Sequence, residues 1–155
     1  MARDYKSTWR LKLILLALLV AGTASFLVNT RTPSFISVTS DSDLVIIPTD
    51  TLAREQVRFY SNRGRAGEEL RFILGRDSRS EIHAAMDECQ RCYSYHKGYN
   101  WSLGHLVCNF CGNRYKLHRM ASGLASCVPV KLQIQVTNQT AKIKSADLER
   151  ERGLL

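Results

Sequence analysis

The sequence lacks the short motifs that identify most hydrolytic and nucleotide-dependent enzymes. It contains no H-E-x-x-H motif, no paired-carboxylate signature, no Ser-His-Asp arrangement and no glycine-rich loop suited to phosphate. It also has no low-complexity segment, and no internal repeat beyond two copies of a cysteine motif. These absences argue against a conventional hydrolase. Whether the protein is an enzyme stays open, and a non-enzymatic electron-transfer or metal-binding subunit is favoured.

Histidine is absent directly after both C-x-x-C pairs, since Tyr93 follows the first pair and Gly112 follows the second. This excludes c-type haem attachment. What is present is a pair of knuckles, Cys89-Gln90-Arg91-Cys92 and Cys108-Asn109-Phe110-Cys111. Each C-x-x-C turn directs both sulfur atoms to one side, so four thiolates can surround one group. The spacing suits a structural zinc ion, a single iron ion or an iron-sulfur cluster, and residue types alone favour zinc.

The fifth cysteine, Cys127, lies outside the two knuckles, just before Val128-Pro129. It is either a buried thiol or a fifth ligand or redox partner of the site. The remaining candidate ligands are histidines, each more typical of a surface or neighbouring residue than of a ligand: His83, His96, His105 and His118. Aromatic residues surround the knuckles and are expected to form a small core over the site: Tyr93, Tyr95, Tyr99, Trp101, Phe110 and Tyr115.

The N-terminus carries an apolar run from Leu13 to Val28, preceded mainly by basic residues. Basic residues before an apolar segment remain in the cytoplasm, so the rest of the chain should be exported. The run is short for a span, although Leu11 and a snorkelling Lys12 can extend it. An uncleaved anchor is favoured over a cleaved signal peptide, which remains the alternative. No cysteine lies near this segment, which excludes lipid attachment to a thiol there.

The remaining sequence predicts an α+β fold, a small and mostly antiparallel β domain with two C-x-x-C knuckles and short helices, behind one N-terminal transmembrane helix. Alternation and turn residues predict the strands, with turns at 64–67, where two glycines suit a hairpin, and at 138–140. The second knuckle is expected to be strand-turn-strand, with Gly112 permitting a positive φ after Cys111. The expected strands are 44–48, 56–60, 69–74, one long strand over 130–137, and 141–143, with 56–60 and 69–74 forming an antiparallel hairpin. The expected helices are 81–87, capped by Ser80, and 146–152, capped by Ser145.

Three regions follow from these assignments. Residues 1–30 form the membrane anchor or signal peptide, residues 31–43 a Ser/Thr-rich linker, and residues 44–155 an extracytoplasmic metal- or iron-sulfur-binding domain. The net charge of +8 is spread over scattered arginines among acidic residues, as on a solvated basic surface. Anionic lipid is the alternative contact for this charge, and nucleic acid is not an expected partner. No small-molecule substrate is evident.

The chain resembles the FtrD-like membrane iron-sulfur proteins, which are associated with bacterial ferrous iron uptake systems. The segments that carry the resemblance are Phe59-Tyr60, Arg71-Phe72-Ile73-Leu74, Ala84 through Tyr93, Lys97-Gly98-Tyr99, Leu106 through Gly112, and Cys127-Val128-Pro129. The resemblance implies a periplasmic-facing cofactor domain in a protein of the bacterial inner membrane, and the one apolar run of this chain makes the expected protein single-pass. It also moves the expected cofactor from zinc towards iron or an iron-sulfur cluster.

Three functions remain open at this point. The first is electron transfer or metal handling for an iron transport system, with Cys89, Cys92, Cys108 and Cys111 holding the cofactor and Cys127 as an additional candidate ligand. Its expected partners are the membrane and an iron permease or redox protein. The second is a structural zinc-ribbon-like assembly module. The third is a thiol-disulfide oxidoreductase, which is disfavoured because Cys89 is expected to follow a helix rather than begin one.

Overall fold

The computed structural model describes residues 12–17, 33–120 and 128–153. The chain divides after Thr32 into two compact units, and every described strand belongs to the second. Residues 12–17 are helical. Within the described ranges, no helix has both the length and the apolarity needed to cross a bilayer. Because most of the apolar run from Leu13 to Val28 lies outside those ranges, the membrane anchor remains a prediction.

Twelve strands are described in the second unit. They are β1 (Phe35–Ser37), β2 (Ser40–Asp41), β3 (Leu44–Pro48), β4 (Gln56–Arg63), β5 (Glu69–Arg76), β6 (Ile82–Cys89), β7 (Tyr99–Ser102), β8 (His105–Cys108), β9 (Arg114–Tyr115), β10 (Pro129–Lys131), β11 (Gln135–Thr137) and β12 (Thr140–Lys144). Short 3-10 helices cover Tyr93–Tyr95 and Leu117–Arg119, and the C-terminal helix is Ser145–Gly153.

The strands form three sheets. The central sheet has the order β1-β4-β5-β6-β10, the outer sheet β11-β12-β3-β2, and the knuckle sheet β7-β8-β9. All described pairings are antiparallel except that of β1 with β4. The predicted class, a small and mostly antiparallel β domain with few helices, is therefore confirmed for this unit.

The central sheet is buried on both faces, and this arrangement positions the cysteines. Alternate residues of β5 illustrate it, because Phe72 and Leu74 belong to one apolar cluster while Ile73 belongs to another. The first cluster includes residues of β3, β12 and the C-terminal helix. The second includes three of the knuckle cysteines. The knuckle region therefore packs directly on a rigid sheet.

The hairpin predicted between residues 56–60 and 69–74 is confirmed, with strands that are longer than expected. β4 and β5 pair antiparallel over eight residues each, from Gln56 opposite Arg76 to Arg63 opposite Glu69. The strand at 44–48, the returning strand around 141–143 and the C-terminal helix are also confirmed.

The helix predicted over residues 81–87 is wrong, because Ile82–Cys89 is strand β6. Ser80 does not cap a helix but has a positive φ of 69° in the turn between β5 and β6. A strand buried on both faces shows no apolar-polar alternation, so its period cannot be distinguished from that of a helix. Here Ala84 and Met86 pack into one cluster while Ala85 and Cys89 pack into the other. Cys89 therefore ends a strand.

The single long strand predicted over residues 130–137 is also wrong. β10 pairs with β6 in the central sheet, whereas β11 pairs with β12 in the outer sheet. Leu132, between the two strands, is buried and donates its backbone N–H to the carbonyl of Ala84 at 3.0 Å. Val136 is 50% exposed, although the alternation placed it inside. The apolar-polar alternation of the sequence thus continues through residues 130–137, although the chain passes there from the central sheet to the outer sheet.

The expected linker at residues 31–43 contains two strands. β1 pairs in parallel with β4, and β2 pairs with β3, so these residues contribute to the central sheet and to the outer sheet. Phe35 also packs edge-on against Phe59, with ring centroids 5.8 Å apart. The folded unit begins at Pro33, eleven residues earlier than the predicted start at Leu44. The prediction missed these two short edge strands because their Ser/Thr-rich composition is typical of a linker.

Candidate metal centre

Three of the predicted ligands converge below the surface. The sulfur atoms of Cys89, Cys92 and Cys108 all lie within 4.8 Å of one another, and each residue is at most 7% exposed. Cys89 ends β6 and Cys108 ends β8, so two different sheets position them. Cys92 is held one turn after Cys89, since its backbone N–H donates to the carbonyl of Cys89 at 3.1 Å.

Cys111, the fourth predicted ligand, lies outside this group of three and is exposed. It belongs to a tight turn in which the N–H of Gly112 donates to the carbonyl of Cys108 at 2.9 Å. Gly112 has a φ of 72°, the positive value expected from the sequence for this turn. The strand-turn-strand form of the second knuckle is thus confirmed, with β8 before it and β9 after it. Cys111 stands at the rim of the site.

The donor set fits a metal ion or an iron-sulfur group. Sulfur ligands about 2.3 Å from one tetrahedral ion lie about 3.8 Å apart, so a spread of at most 4.8 Å requires little rearrangement. Thiolates are also the usual protein ligands of iron-sulfur clusters. Buried apolar neighbours, including Leu106, Leu117 and Met120, surround the three cysteines and limit the access of water. The three cysteines would hold such a group, with Cys111 closing its outer side.

Tyr99 supplies a buried hydroxyl beside the sulfur atoms. The residue is 0% exposed, and its hydroxyl forms no hydrogen bond of ordinary geometry with the described residues. Burial raises the pKa of Tyr99, and interactions with Cys89 and Cys108 raise it further. Cys89 raises this pKa through hydrogen bonding as well as through its charge, which places the hydroxyl close to the Cys89 sulfur. Tyr99 therefore remains protonated and presents an O–H donor to sulfur.

Asp87 fixes the backbone at the start of β7. Its Oδ1 atom accepts the backbone N–H of Tyr99 at 2.9 Å, and its Oδ2 atom lies against the α-carbon of Gly98. Gly98 has a φ of 61°, and a side chain there would collide with Asp87. Burial raises the pKa of Asp87 to about 7. Asp87 thus links the strand that ends in Cys89 to the strand that carries Tyr99.

None of the four histidines belongs to the cysteine group in the described ranges. His83 contacts Asp77 at 3.0 Å, and His96 lies 3.5 Å from Glu88. The Nδ1 atom of His105 lies 2.8 Å from the carbonyl oxygen of Leu103. His118 lines a small surface pocket with Asp77. The hypothesis of direct histidine ligation therefore receives no support from the described residues.

The predicted aromatic cover divides into two parts. Tyr99 and Tyr115 are buried with the cysteines in an edge-on pair, and Trp101 packs against them. Tyr95 and Phe110 instead lie outside, stacked with ring centroids 3.8 Å apart and 52% and 47% exposed. Tyr93 is intermediate in exposure and packs edge-on against His96.

A second titratable group, not singled out by the sequence, lies in the β5–β6 turn. Single ligand atoms of Asp77, Glu81 and His83 are within 4.8 Å of one another. Burial acts to raise the pKa of Asp77, but hydrogen bonds from His83 and from the Glu81 and Arg79 amides lower it overall. Arg79 also pairs with both acids, at 3.6 Å and 3.1 Å. These contacts all lie within the β5–β6 turn or at the start of β6, so the three side chains are accounted for by stabilising that turn.

Sequence reasoning found the cysteines but missed Asp87 as a contributor to the site. The signal was present in the neighbouring Asp87-Glu88-Cys89 and Lys97-Gly98-Tyr99 segments, yet only the fold brings them together. Cys127, the candidate fifth ligand, lies outside the described residues. Its role therefore remains a prediction.

Comparisons with known proteins identify the family. No curated protein matches the chain. Among solved structures, the chain is similar to the quaternary ammonium Rieske monooxygenase CntA, determined in complex with an inhibitor, at 15% identity and a TM-score of 0.41. That match covers 63% of this chain and 29% of the monooxygenase chain, so this chain spans under a third of its length. A family model described as "Membrane iron-sulfur containing protein FtrD-like" matches residues 52–154. The range contains both knuckles and their supporting strands, and the chain belongs to the FtrD-like family of membrane iron-sulfur-containing proteins.

Proposed function

We propose that this protein is a membrane-anchored, extracytoplasmic iron-sulfur protein that transfers electrons for an iron transport system. The observation that carries the proposal is the buried group of Cys89, Cys92 and Cys108, packed on a two-sided sheet with Cys111 at its rim. Family membership supports iron and sulfide as the occupant. Handling of iron itself at this site is the nearest variant of the same function.

The residues of the site suit electron transfer better than bond chemistry. An iron-sulfur group supplies one-electron oxidation and reduction when bound. The apolar packing of Leu106, Leu117 and Met120 keeps water from the inner side of the site. The Tyr99 O–H lies where it can stabilise negative charge on sulfur. A surface cavity of about 610 Å³ is lined by residues such as Thr49, His83 and Lys131, and no cysteine lines it.

The membrane anchor and the location are part of the proposal. The apolar run from Leu13 to Val28 follows Arg3, Lys6, Arg10 and Lys12, which favours a cytoplasmic N-terminus. The folded unit after Thr32 would then face the periplasm of a bacterium, as a single-pass protein of the inner membrane. An iron permease or a redox protein would be its partner, and neither nucleic acid nor a small-molecule substrate is proposed.

The test is to purify the full chain anaerobically in a neutral detergent and measure its iron, acid-labile sulfide, zinc and visible absorption. We expect a coloured protein with iron and sulfide whose spectrum bleaches on reduction. Cys89→Ser, Cys92→Ser and Cys108→Ser should each abolish the colour. Arg91→Ser, an exposed change within the first C-x-x-C turn, is the matched control and should retain it.

Three results would contradict the proposal in different ways. A colourless protein with one zinc ion per chain would mean the structural zinc-ribbon-like module. A metal-free protein with oxidised cysteines would mean the thiol-disulfide oxidoreductase. Full iron and sulfide content in a variant that combines Cys89→Ser, Cys92→Ser and Cys108→Ser would show that these cysteines do not hold the cofactor.

A further inference from the structure

We propose that the surface around Cys111 is where the protein docks an acidic redox protein, a step that rests on the proposed electron-transfer function. This surface, the knuckle tip, consists of Arg91, Tyr95, Lys97, Phe110 and Cys111. Its charge, its exposed aromatic pair and its position above the buried cysteines each point to such a partner.

The knuckle tip is where the site comes closest to solvent. Cys89, Cys92 and Cys108 are buried, whereas Cys111 is exposed. The central sheet covers the opposite side, because Cys89 and Cys92 pack in the same cluster as Phe59 and Ile73. An electron that enters or leaves the site by the shortest route therefore passes through this surface.

The exposed aromatic pair joins the two knuckles. Phe110 lies inside the second C-x-x-C turn, and Tyr95 follows the first and stacks on Phe110 at 3.8 Å. Tyr95 is tied back to the first turn, because its N–H donates to the carbonyl of Cys92 at 3.1 Å. Two adjacent aromatic side chains that are about half exposed are typical of protein interfaces. They provide a flat apolar centre for a docked partner.

The stretch of sequence that carries this centre contains charges of one sign only. From Cys89 to Ala146 the sequence contains no aspartate or glutamate. The same stretch contains eight basic residues, which are Arg91, Lys97, Arg114, Lys116, Arg119, Lys131, Lys142 and Lys144. Residues 89–146, which include both knuckles, are therefore a continuous basic segment in an otherwise mixed sequence.

The two charges of the knuckle tip are available to a partner. Arg91 and Lys97 are exposed, and neither forms an ion pair with the residues that the structure describes. The nearest acids in sequence are Asp87, which is buried, and Glu88, which lies 3.5 Å from His96. Lys97 is held beside the second knuckle, since its carbonyl accepts the Asn109 side-chain amide at 2.9 Å. The positive field is thus not neutralised locally.

An acidic redox protein fits these features better than a lipid surface. Basic and aromatic residues also occur at membrane surfaces, but lipid seated on Cys111 would cover the shortest route for electrons. A second redox centre must approach that route for the proposed function to operate. Complementary charge raises the rate of such encounters. The occupant we infer is therefore a protein with an acidic docking face.

The first test measures electron transfer to small oxidants of opposite charge. The reduced full chain, in neutral detergent at low salt, gives one electron to hexacyanoferrate(III), forming hexacyanoferrate(II), or to cationic tris(phenanthroline)cobalt(III), forming its cobalt(II) complex. In the Arg91→Ser/Lys97→Ser variant the rate with hexacyanoferrate should fall about tenfold, and the rate with the cobalt complex should not fall. The Arg63→Ser/Lys144→Ser control removes the same charge from exposed positions on other strands and should change either rate less than about twofold. Equal effects of the two double variants would overturn the proposal.

The second test needs no cofactor, so it separates this proposal from the proposed function. Fluorescein-labelled deca-glutamate should bind the full chain, measured by fluorescence anisotropy, whether or not iron and sulfide are present. Affinity should fall about tenfold in Arg91→Ser/Lys97→Ser but stay within about twofold in the control variant. Phe110→Ser should weaken binding without altering net charge. Failure of the peptide to bind, with a normal iron-sulfur spectrum, would overturn the docking surface and leave the proposed function standing.

A third measurement tests the lipid alternative. Hydrogen exchange of segments 90–97 and 109–114 is compared for the full chain in nanodiscs of phosphatidylcholine alone and with about one-third phosphatidylglycerol. The proposal expects the same exchange in both, and slower exchange on adding deca-glutamate. If phosphatidylglycerol slows the exchange of these two segments and deca-glutamate does not, the knuckle tip is a membrane-binding surface and the proposal is overturned.

Discussion

Gly75 lies where the central sheet closely approaches Leu117, in the segment that follows the second knuckle. It lies in β5, opposite Val57 and His83 of the neighbouring strands. A β-carbon added there would lie 2.8 and 2.9 Å from the two methyl groups of Leu117 and 2.9 Å from a methyl group of Val57. No real β-carbon tolerates such distances, so Gly75→Ala must displace Leu117, which packs with the cysteines.

The size of the effect follows from two opposing terms. Overpacking a buried position costs about 1–3 kcal/mol. Replacing a strand glycine by alanine returns about 0.5–1 kcal/mol, because the unfolded chain loses freedom. We therefore expect Gly75→Ala to lower the free energy of unfolding by about 0.5–2 kcal/mol. Leu117→Ala alone should cost about 2–5 kcal/mol, since Leu117 is 4% exposed.

A double-mutant cycle provides the decisive measurement. In Gly75→Ala/Leu117→Ala the new methyl group occupies space that Leu117 vacates, so the double variant should be more stable than the sum of the single changes by about 1–2 kcal/mol. Urea unfolding of the full chain in neutral detergent, followed by tryptophan fluorescence, gives each free energy. Gly153→Ala is the control, because a β-carbon added at that position meets no atom within 4 Å. If the two single changes add within about 0.5 kcal/mol, the proposed contact between β5 and the knuckle segment is incorrect.

Two further predictions concern Tyr99 and Asp87. Tyr99→Phe removes an O–H donor beside Cys89, so it should lower the reduction potential of the loaded protein by about 20–65 mV, the equivalent of one hydrogen bond. Voltammetry measures this change, and Tyr60→Phe on the opposite face of the sheet should not reproduce it. Burial raises the pKa of Asp87 from 3.8 to about 7 in the folded state. The folded state therefore binds this proton more tightly than the unfolded state does, so the free energy of unfolding should fall as the pH rises from about 4 to about 7. Asp87→Asn keeps the acceptor for the Tyr99 N–H but has no proton to lose, so it avoids this pH-dependent loss of stability, which is at most about 4 kcal/mol. In urea titrations, the free energy of unfolding of the variant relative to the parent should therefore rise between about pH 4 and pH 7. If that difference does not change with pH, the buried carboxyl is not the cause.

Local sequence signals predicted the elements that have one wet face or a clear turn. The β4–β5 hairpin follows from its glycine-containing connection, and the turn before β12 follows from Asn138 and Gln139, both of which have positive φ. The second knuckle was equally readable, because Gly112 permits the tight turn after Cys111. In each case the information lies within a few adjacent residues.

The two incorrect elements share a physical cause. β6 is covered on both faces, so its apolar residues have no strand period, and Ala84 and Ala85 are small because two layers pack against them. Residues 130–137 alternate regularly but belong to two sheets, and alternation carries no information about which partner strand a residue meets. Both errors concern contacts between segments that are distant in sequence.

The kind of chemistry available here can be inferred from the amino-acid sequence, because two C-x-x-C turns bring paired thiols together through local backbone geometry alone. The sequence also determined the basic character of the knuckle region and the apolar N-terminal run. The burial of Cys89, Cys92 and Cys108, the exposure of Cys111, and the contact of Asp87 with the backbone of Tyr99 could be known only from the three-dimensional fold. The reason is that burial and hydrogen bonding depend on how β6, β7 and β8 pack against one another. That packing depends on contacts across a whole sheet and not on residues adjacent in sequence.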